Sequence, residues 1–216
     1  MDIVIIGAGG HASVVCDTLL TSGGERRVIG FLDADPAKHG SRILDLPVYG
    51  VLEDLISRGT RSFAMGIGDN EARRREFARL TALGLQGIIV VHPSAVISRT
   101  ARIGDGTVVM GNVVVNNGAE IGEDVILNTA CSVDHHCVIG AHAHIAPGVT
   151  LAGTVRIGEL TLVGAGAVII PGVTVGARST VAAGAVVTRD VPDDVTVAGV
   201  PARVISGPRP AQNVRV

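Results

Sequence analysis

The chain has 216 residues, enough for one large domain or two small ones with a real core. It is 47% apolar yet carries three Phe, one Tyr, no Trp and 29 glycines, so the core must be built from Val, Ile, Leu and Ala. A formal charge of −2 with both signs interspersed gives no electrostatic footprint for nucleic acid or an anionic membrane, and no window approaches the roughly 18 apolar residues of a membrane span.

The first residues, "DIVIIGAGG", enter an apolar run without the basic n-region or cleavage site of a leader. "IVIIG" reads as a buried strand, "GAGGHA" as a tight turn, and Ala12 to Leu20 as a helix. "VIGFLDAD" is a second strand and "SFAMGIG" a third, with helices predicted over Val51 to Ser57 and Asn70 to Leu83. Strands alternating with helices imply a small parallel sheet of Rossmann type over residues 1–90, with a domain boundary near Val90. Gly7, Gly9 and Ala12 fit the G-x-G-x-x-G/A fingerprint, in which amides at a helix N-terminus hold a diphosphate. Asp33, ending the second strand, stands where a carboxylate would meet a ribose hydroxyl. The loop fits NAD or a nucleotide-sugar alike; the second is the better reading, because it gives both halves of the chain one task.

From Val91 to Val187 every sixth residue is aliphatic, and four residues after each comes a small or short side chain, such as Ala95, Thr107, Cys131, Cys137 and Ser179. Turn formers such as Asp105-Gly106, Asn117-Gly118 and Pro147-Gly148 fall between them. Each hexad is therefore a short strand plus a corner, and a fixed period with an inward aliphatic residue means a solenoid. The unit resembles the hexapeptide repeat of left-handed β-helix acyltransferases, where three hexads make one triangular coil. That implies roughly five or six coils over residues 91–205, about 4.8 Å apart. The fold class expected is thus α/β plus all-β: a small Rossmann-like βαβ domain, then a left-handed parallel β-helix. Residues 206–216 read as a disordered tail.

"VDHHCVIGAHAH", residues 133–144, holds four of the seven histidines. Val133 and Cys137 take inward positions, so Cys137 points away from the histidines and acts as a small apolar group. His135, His136 and His142 fall at corners. A metal site would need side chains from opposite faces of one strand to converge, and none is expected. Corner histidines can also be mere surface; a catalytic role is the preferred reading. With 18 residues per coil, His135 stacks between Asn117 and Gly153 and Asp134 between Asn116 and Ala152, so no side chain at Gly153 blocks the imidazole. The cysteines Cys16, Cys131 and Cys137 form no CxxC pair, which fits a reducing compartment and a cytoplasmic protein.

"IIGAGGHA", "GFLDAD", "GIGDN", "LNTACSVDHHCVIGAHAHIAPG" and "VAGVPARVI" together resemble the PglD/NeuD-type bacterial nucleotide-sugar acetyltransferases, including those of perosamine and bacillosamine pathways, over nearly the whole chain. The resemblance implies that His135 is the general base. Its neighbour in that family is usually Glu or Asp; here it is His136, which leaves Asp134, a residue of another chain, or no carboxylate at all as the partner. It further implies that Asn128 lies near the reacting amine, that His144 contacts acetyl-CoA, that the Gly153 amide faces the oxyanion, and that Ala165 and Ala183 meet the pantetheine arm. Gly9, Gly10, His11, Asp33 and Gly68 would surround the nucleotide and its phosphates. The family consists of homotrimers with active sites between subunits, so an isolated monomer is expected to be inactive. The implied reaction is acetyl transfer from acetyl-CoA to the amine of a nucleotide-linked amino sugar, by direct attack and without a metal. The alternatives are transfer to a sugar hydroxyl and a β-helix that only binds a nucleotide-sugar; the nucleotide and sugar are left open.

Overall fold

The computed structural model describes residues 1–57 and 59–207. The first domain is a six-stranded sheet. It is built from β1 (Asp2–Ile6), β2 (Arg27–Leu32), β3 (Arg42–Ile43), β4 (Leu46–Tyr49), β5 (Ser62–Met65) and β6 (Gln86–Gly87) in the order β3-β4-β2-β1-β5-β6. All neighbours run parallel except the β3–β4 hairpin. Sequence patterning supplies the three central strands; the hairpin and β6 are short edge elements whose signal is too weak to read. The helices are α1 (Gly10–Ser22), α2 (Leu52–Ser57) and α3 (Asn70–Ala82), close to the predicted ranges.

Two apolar layers follow from strand alternation. Ile3 and Ile5 face α1, whose Ala12, Val15, Cys16 and Leu19 continue into the core of the second domain. Val4 and Ile6 face α2 and α3 with Phe63, Phe77 and Leu80. Ala12 earns its place in the fingerprint here: a Cβ on Gly66 would stand 2.6 Å from the Ala12 Cβ, so helix and strand touch only because both residues are small.

The second domain is a parallel β-helix with three faces. One face stacks the two-residue strands from Val90–Val91 through Ile126–Leu127 and His144–Ile145 to Thr180–Val181; the second runs from Val96–Ile97 through Ser132–Val133 to Val186–Val187; the third runs from Arg102–Ile103 to Thr174–Val175. Partners are 18 residues apart, as in Val108↔Ile126 and Ser132↔Thr150. Every aliphatic of the ladder from Val109 to Val187 is buried. Each contributes about 1.5–3 kcal/mol, and none can do so until the neighbouring coil is in place. The outermost Val91, Ile97 and Ile103 are half-buried, since only one side of the first coil is covered.

The corners repeat with the same period of six. Residues Gly106, Asn112, Gly118, Asp124, Ala130, His136, His142, Gly148, Thr154 and Leu160 all have φ between +52° and +75°. This left-handed region favours glycine, and each side chain there costs about 1–2 kcal/mol. Stacking offsets the cost: the corner amide of one coil donates to a corner carbonyl of the previous one, as in His136 N to Asn117 O (3.0 Å), Thr154 N to His135 O (2.9 Å) and His142 N to Glu123 O (2.9 Å). A final antiparallel hairpin, Thr196–Gly199 with Ala202–Ser206, closes the stack. Ser206, assigned above to the tail, therefore ends a strand, and residues 208–216 of that tail lie outside the described residues.

Candidate active site

His135 and His136 occupy the corner between the second and third faces. The His135 ring lies over Gly153: a Cβ built there would fall 2.5 Å from both its Cε1 and its Nε2. His135 Nδ1 lies 3.1 Å from His136 Nδ1. Asp134 does not turn to the imidazole; its Oδ1 accepts from the His135 backbone N–H (2.7 Å) and from Asn116 Nδ2 (2.9 Å), and these bonds hold its carboxyl below the usual range. Cys137 points inward as expected, with Sγ 3.1 Å from the Ala152 carbonyl.

A second cluster lies where α1 and the loop after β5 meet the first face. His144 Nε2 accepts from Asn128 Nδ2 at 3.2 Å, its ring is 6.4 Å from that of His11, and it has a backbone hydrogen bond with Gly68. The fold thus joins His11, Gly68, Asn128 and His144 from both domains. It does not join them to His135 within one chain, because the corner between the second and third faces lies opposite the first. Ala165 and Ala183 are exposed and stack along another corner edge, with Gly184 N donating to Ala165 O at 2.8 Å.

Burial, reinforced by the Arg73 charge, lowers both His11 and His144 to about 4. Both rings are neutral at pH 7, and His11 Nε2 is buried with no hydrogen-bond partner among the described residues. An imidazole depressed from 6.5 binds fewer protons folded than unfolded, so its contribution to stability is complete above pH 6.5 and is lost as pH falls toward about 4. Tm should decline across that window, and a His11→Asn/His144→Asn variant should flatten the decline. A variant with the wild-type slope would locate the acid sensitivity elsewhere.

At the C-terminal ends of β1 and β2 a cleft of about 530 Å³ is lined by Gly7, Asp33, Ile67, Arg75, Glu76 and others. Asp33 Oδ2 accepts from Ala8 N (2.7 Å) and Lys38 Nζ (2.9 Å), and Oδ1 from Asp35 N (2.9 Å). Burial pushes its carboxyl up, but these donors outweigh it and hold the group below the usual range. Asp33 so ties the glycine turn to the cleft wall. Gly9 and Gly10 are exposed, Gly9 caps α1 without a side chain, and a Cβ on Gly9, Gly10 or Gly68 would meet open space. Among the described residues no group of three or more His, Cys, Asp or Glu converges as a metal requires.

Sequence reasoning missed Lys38 and the network between the domains. Arg73 of α3 is fully buried; it donates to the Asp124 carbonyl (3.1 Å), Gly68 O (3.2 Å), Asn70 Oδ1 (3.0 Å) and His142 O (2.5 Å), and pairs with the Asp124 carboxylate at 3.3 Å. His142 Nδ1 reaches the same carboxylate at 2.8 Å. This network presents Gly68 to His144.

Residues 2–80 match the PglD N-terminal domain family, and residues 118–153 and 154–189 match the bacterial transferase hexapeptide (six repeats) family. PerB from Caulobacter crescentus, solved with CoA and GDP-perosamine, is 41% identical with a TM-score of 0.89, over 95% of this chain and 98% of that one. The chain belongs to the PglD-type nucleotide-sugar acetyltransferases. The acetyltransferase domain of PglB from Neisseria gonorrhoeae, solved with acetyl coenzyme A, is 37% identical with a TM-score of 0.86, over 94% and 98% of the two chains. A curated relative, the UDP-N-acetylbacillosamine N-acetyltransferase of Bacillus subtilis, is 37% identical over 113 residues; the match spans 50% of this chain and 51% of that relative.

Within this PglD-type chain the contact of Gly153 with His135 is a sharp constraint. Gly153 does not have a left-handed φ, so alanine would keep the backbone and strike the ring instead. Gly153→Ala should lower kcat about 10–100-fold by displacing the His135 ring, with little change in Tm, since misplacement of a reacting group by about 1 Å can cost 10²-fold. Unchanged turnover would show that the ring's seat is irrelevant.

Proposed function

We propose that this PglD-type protein transfers the acetyl group of acetyl-CoA to the amino group of a nucleotide-linked amino sugar. The observation that carries the reading is the His135 imidazole, exposed at a prism corner and seated on a glycine, with Nδ1 partnered and Nε2 directed away from that partner. Relatives named for acetylating perosamine and bacillosamine nucleotides set the substrate class.

A sugar amine is mostly ammonium at neutral pH and attacks only after losing a proton; an imidazole, with an ordinary pKa near 6.5, is suited to receive it. His135 Nε2 takes that proton, the nitrogen bonds to the thioester carbon, the C–S bond breaks, and CoA leaves as a thiolate that takes up the second proton the nitrogen sheds on becoming an amide. The Gly153 amide is the candidate donor to the developing oxyanion, worth about 3 kcal/mol. No acyl-enzyme is required, because one cleft brings both substrates together. Gly9, Gly10 and Asp33 would hold the nucleotide, its diphosphate at the N-terminus of α1. Asn128 would serve the sugar, His11 and Gly68 would shape the nucleotide site from behind, and His144, Ala165 and Ala183 would meet the acetyl-CoA.

Because the cleft belongs to the first domain, which packs on the first face, and His135 stands on the corner opposite that face, the working enzyme in this proposal is a homotrimer in which one subunit's imidazole serves a sugar held by another. The second face favours this: its outward residues Val96, Val114, Val168 and Val186 carry no charge, whereas the third presents Arg102, Glu120 and Arg156. Free thiols at Cys16, Cys131 and Cys137 fit a cytoplasmic setting, and no helix among the described residues is long and apolar enough to cross a membrane.

The test is release of CoA thiol with UDP-, GDP- and dTDP-linked amino sugars against their hydroxy analogues. Release only with amines supports the proposal. Release with hydroxyl acceptors would make the protein an O-acetyltransferase, and none with any acceptor would leave a binding protein.

A further inference from the structure

Two imidazoles share one prism corner. Their Nδ1 atoms are 3.1 Å apart, the ring centroids 5.3 Å apart, and the planes cross at 76°. At that distance one nitrogen carries hydrogen and the other is bare, since two lone pairs or two N–H groups would repel. Backbone geometry fixes both rings. His136 has φ +57° and its ring lies over Gly118, where a Cβ would come within 2.8 Å of Cδ2; His135 lies over Gly153. Each ring thus has its own glycine, and the two meet along their Nδ1 edges.

The nearest charged group is Asp134, whose Oδ1 accepts from Asn116 and the His135 backbone amide and whose negative charge acts on the His135 ring through space, not by a hydrogen bond. The Cys137 thiol lies inward on Ala152 O, and burial raises it. The corners stacked on either side, residues 116–118 and 152–154, contain no ionisable side chain.

We propose that His136 is a positioning residue for acetyl transfer, a neutral imidazole whose Nδ1 accepts the Nδ1–H of His135 and so leaves the His135 Nε2 lone pair for the sugar amine. The inference rests on the acetyl-transfer reading above. During transfer His135 gains a proton at Nε2 and becomes imidazolium, still donating from Nδ1; His136 neither gains nor loses one. A proton on His136 Nδ1 would remove the acceptor, so the arrangement works only while that nitrogen is bare. A carboxylate in this place would instead add a full negative charge beside the imidazolium and move the acid limb of kcat to higher pH.

The experiment compares kcat–pH profiles of wild type, His136→Phe, His136→Gln and His136→Glu on the nucleotide-linked amino sugar that wild type turns over fastest. Ionisation of the acceptor amine affects all four alike and cancels. His136→Phe, which lacks an acceptor, should lose about 10–100-fold in kcat with KM for both substrates within about twofold. His136→Gln, an uncharged acceptor, should restore most of that loss, and His136→Glu should displace the acid limb upward by about one pH unit or more. Wild-type kcat in His136→Phe, or an unmoved limb in His136→Glu, would overturn the proposal. Long-range ¹H–¹⁵N spectra of histidine-labelled protein give a readout without turnover: His135 protonated at Nδ1 and His136 at Nε2 are expected, and the reverse tautomers would also overturn it. If wild type transfers acetyl to nothing, the acetyl-transfer reading fails, and the spectra still decide the pairing.

Discussion

Replacing His135 by alanine should lower kcat by about 10²–10⁴-fold while KM for the nucleotide-sugar stays near wild type. The size follows from the proposed mechanism, in which the variant loses the proton acceptor but keeps the proximity of the substrates and the oxyanion donor. The selectivity for kcat follows from placement: His135 lies on the corner opposite the first face, whereas the cleft at Gly7 and Asp33 belongs to the other domain. The fold should survive, because backbone bonds from His136 N to Asn117 O and from Thr154 N to His135 O hold the corner, not the imidazole. Thiol-release kinetics on the purified variant give the measurement, and turnover within a few-fold of wild type would remove His135 from the mechanism. The same placement gives a sharper form of the result. Mixing His135→Ala chains with Asp33→Ala chains, then reassembling them, should restore part of the activity if, as proposed, one subunit of a homotrimer contributes the base and another the nucleotide cleft.

The prism was legible because its determinants are local and periodic. An aliphatic residue at every sixth position and a short one four later can satisfy burial only by stacking, and the registers Val108↔Ile126 and Ser132↔Thr150 are that period made into hydrogen bonds. The contact of Gly153 with His135 was legible for the same reason, as a difference of one coil. What the period does not encode is the direction of a polar side chain at a corner. Asp134 and His136 flank His135 equally in sequence, and only φ +57° at His136 with the Asn116 bond to Asp134 decides which of them meets the ring. The second gap is the seam between domains. Arg73, Phe77 and Leu80 fall at i, i+4 and i+7 on one stripe of α3, and all three are buried, so one of three consecutive arginines faces the core. That spacing was the available signal for Arg73. Its partner Asp124 has no comparable signal, since a left-handed corner accepts Asp as an ordinary turn residue.

Arg73→Leu should destabilise the protein by about 3–5 kcal/mol, because it leaves the Asp124 carboxylate buried without its main counter-charge. Asp124 has no exposed surface, its Oδ1 already lacks a hydrogen-bond partner among the described residues, and burial pushes its carboxyl up against the pull of His142 and Arg73. The guanidinium also satisfies carbonyls of both domains, Gly68 on one side and His142 on the other, so its loss strands acceptors that water cannot easily reach. Removing the stranded charge should return much of the loss. Asn suits position 124 because it tolerates the φ of +52° found there, so Arg73→Leu/Asp124→Asn should be more stable than Arg73→Leu alone. Denaturant unfolding of the three variants measures this coupling. The double variant should also separate stability from geometry: without Arg73 the Gly68 loop keeps its bond to His144 and that of Asn70 to Leu160 O but loses the guanidinium bridge to His142 O, and KM for the nucleotide-sugar should rise even where the fold is restored. A loss below about 1 kcal/mol in Arg73→Leu, with unchanged KM, would show that Arg73 does not hold the two domains in register and that the remaining contacts, such as Asn70 Nδ2 to Leu160 O, suffice.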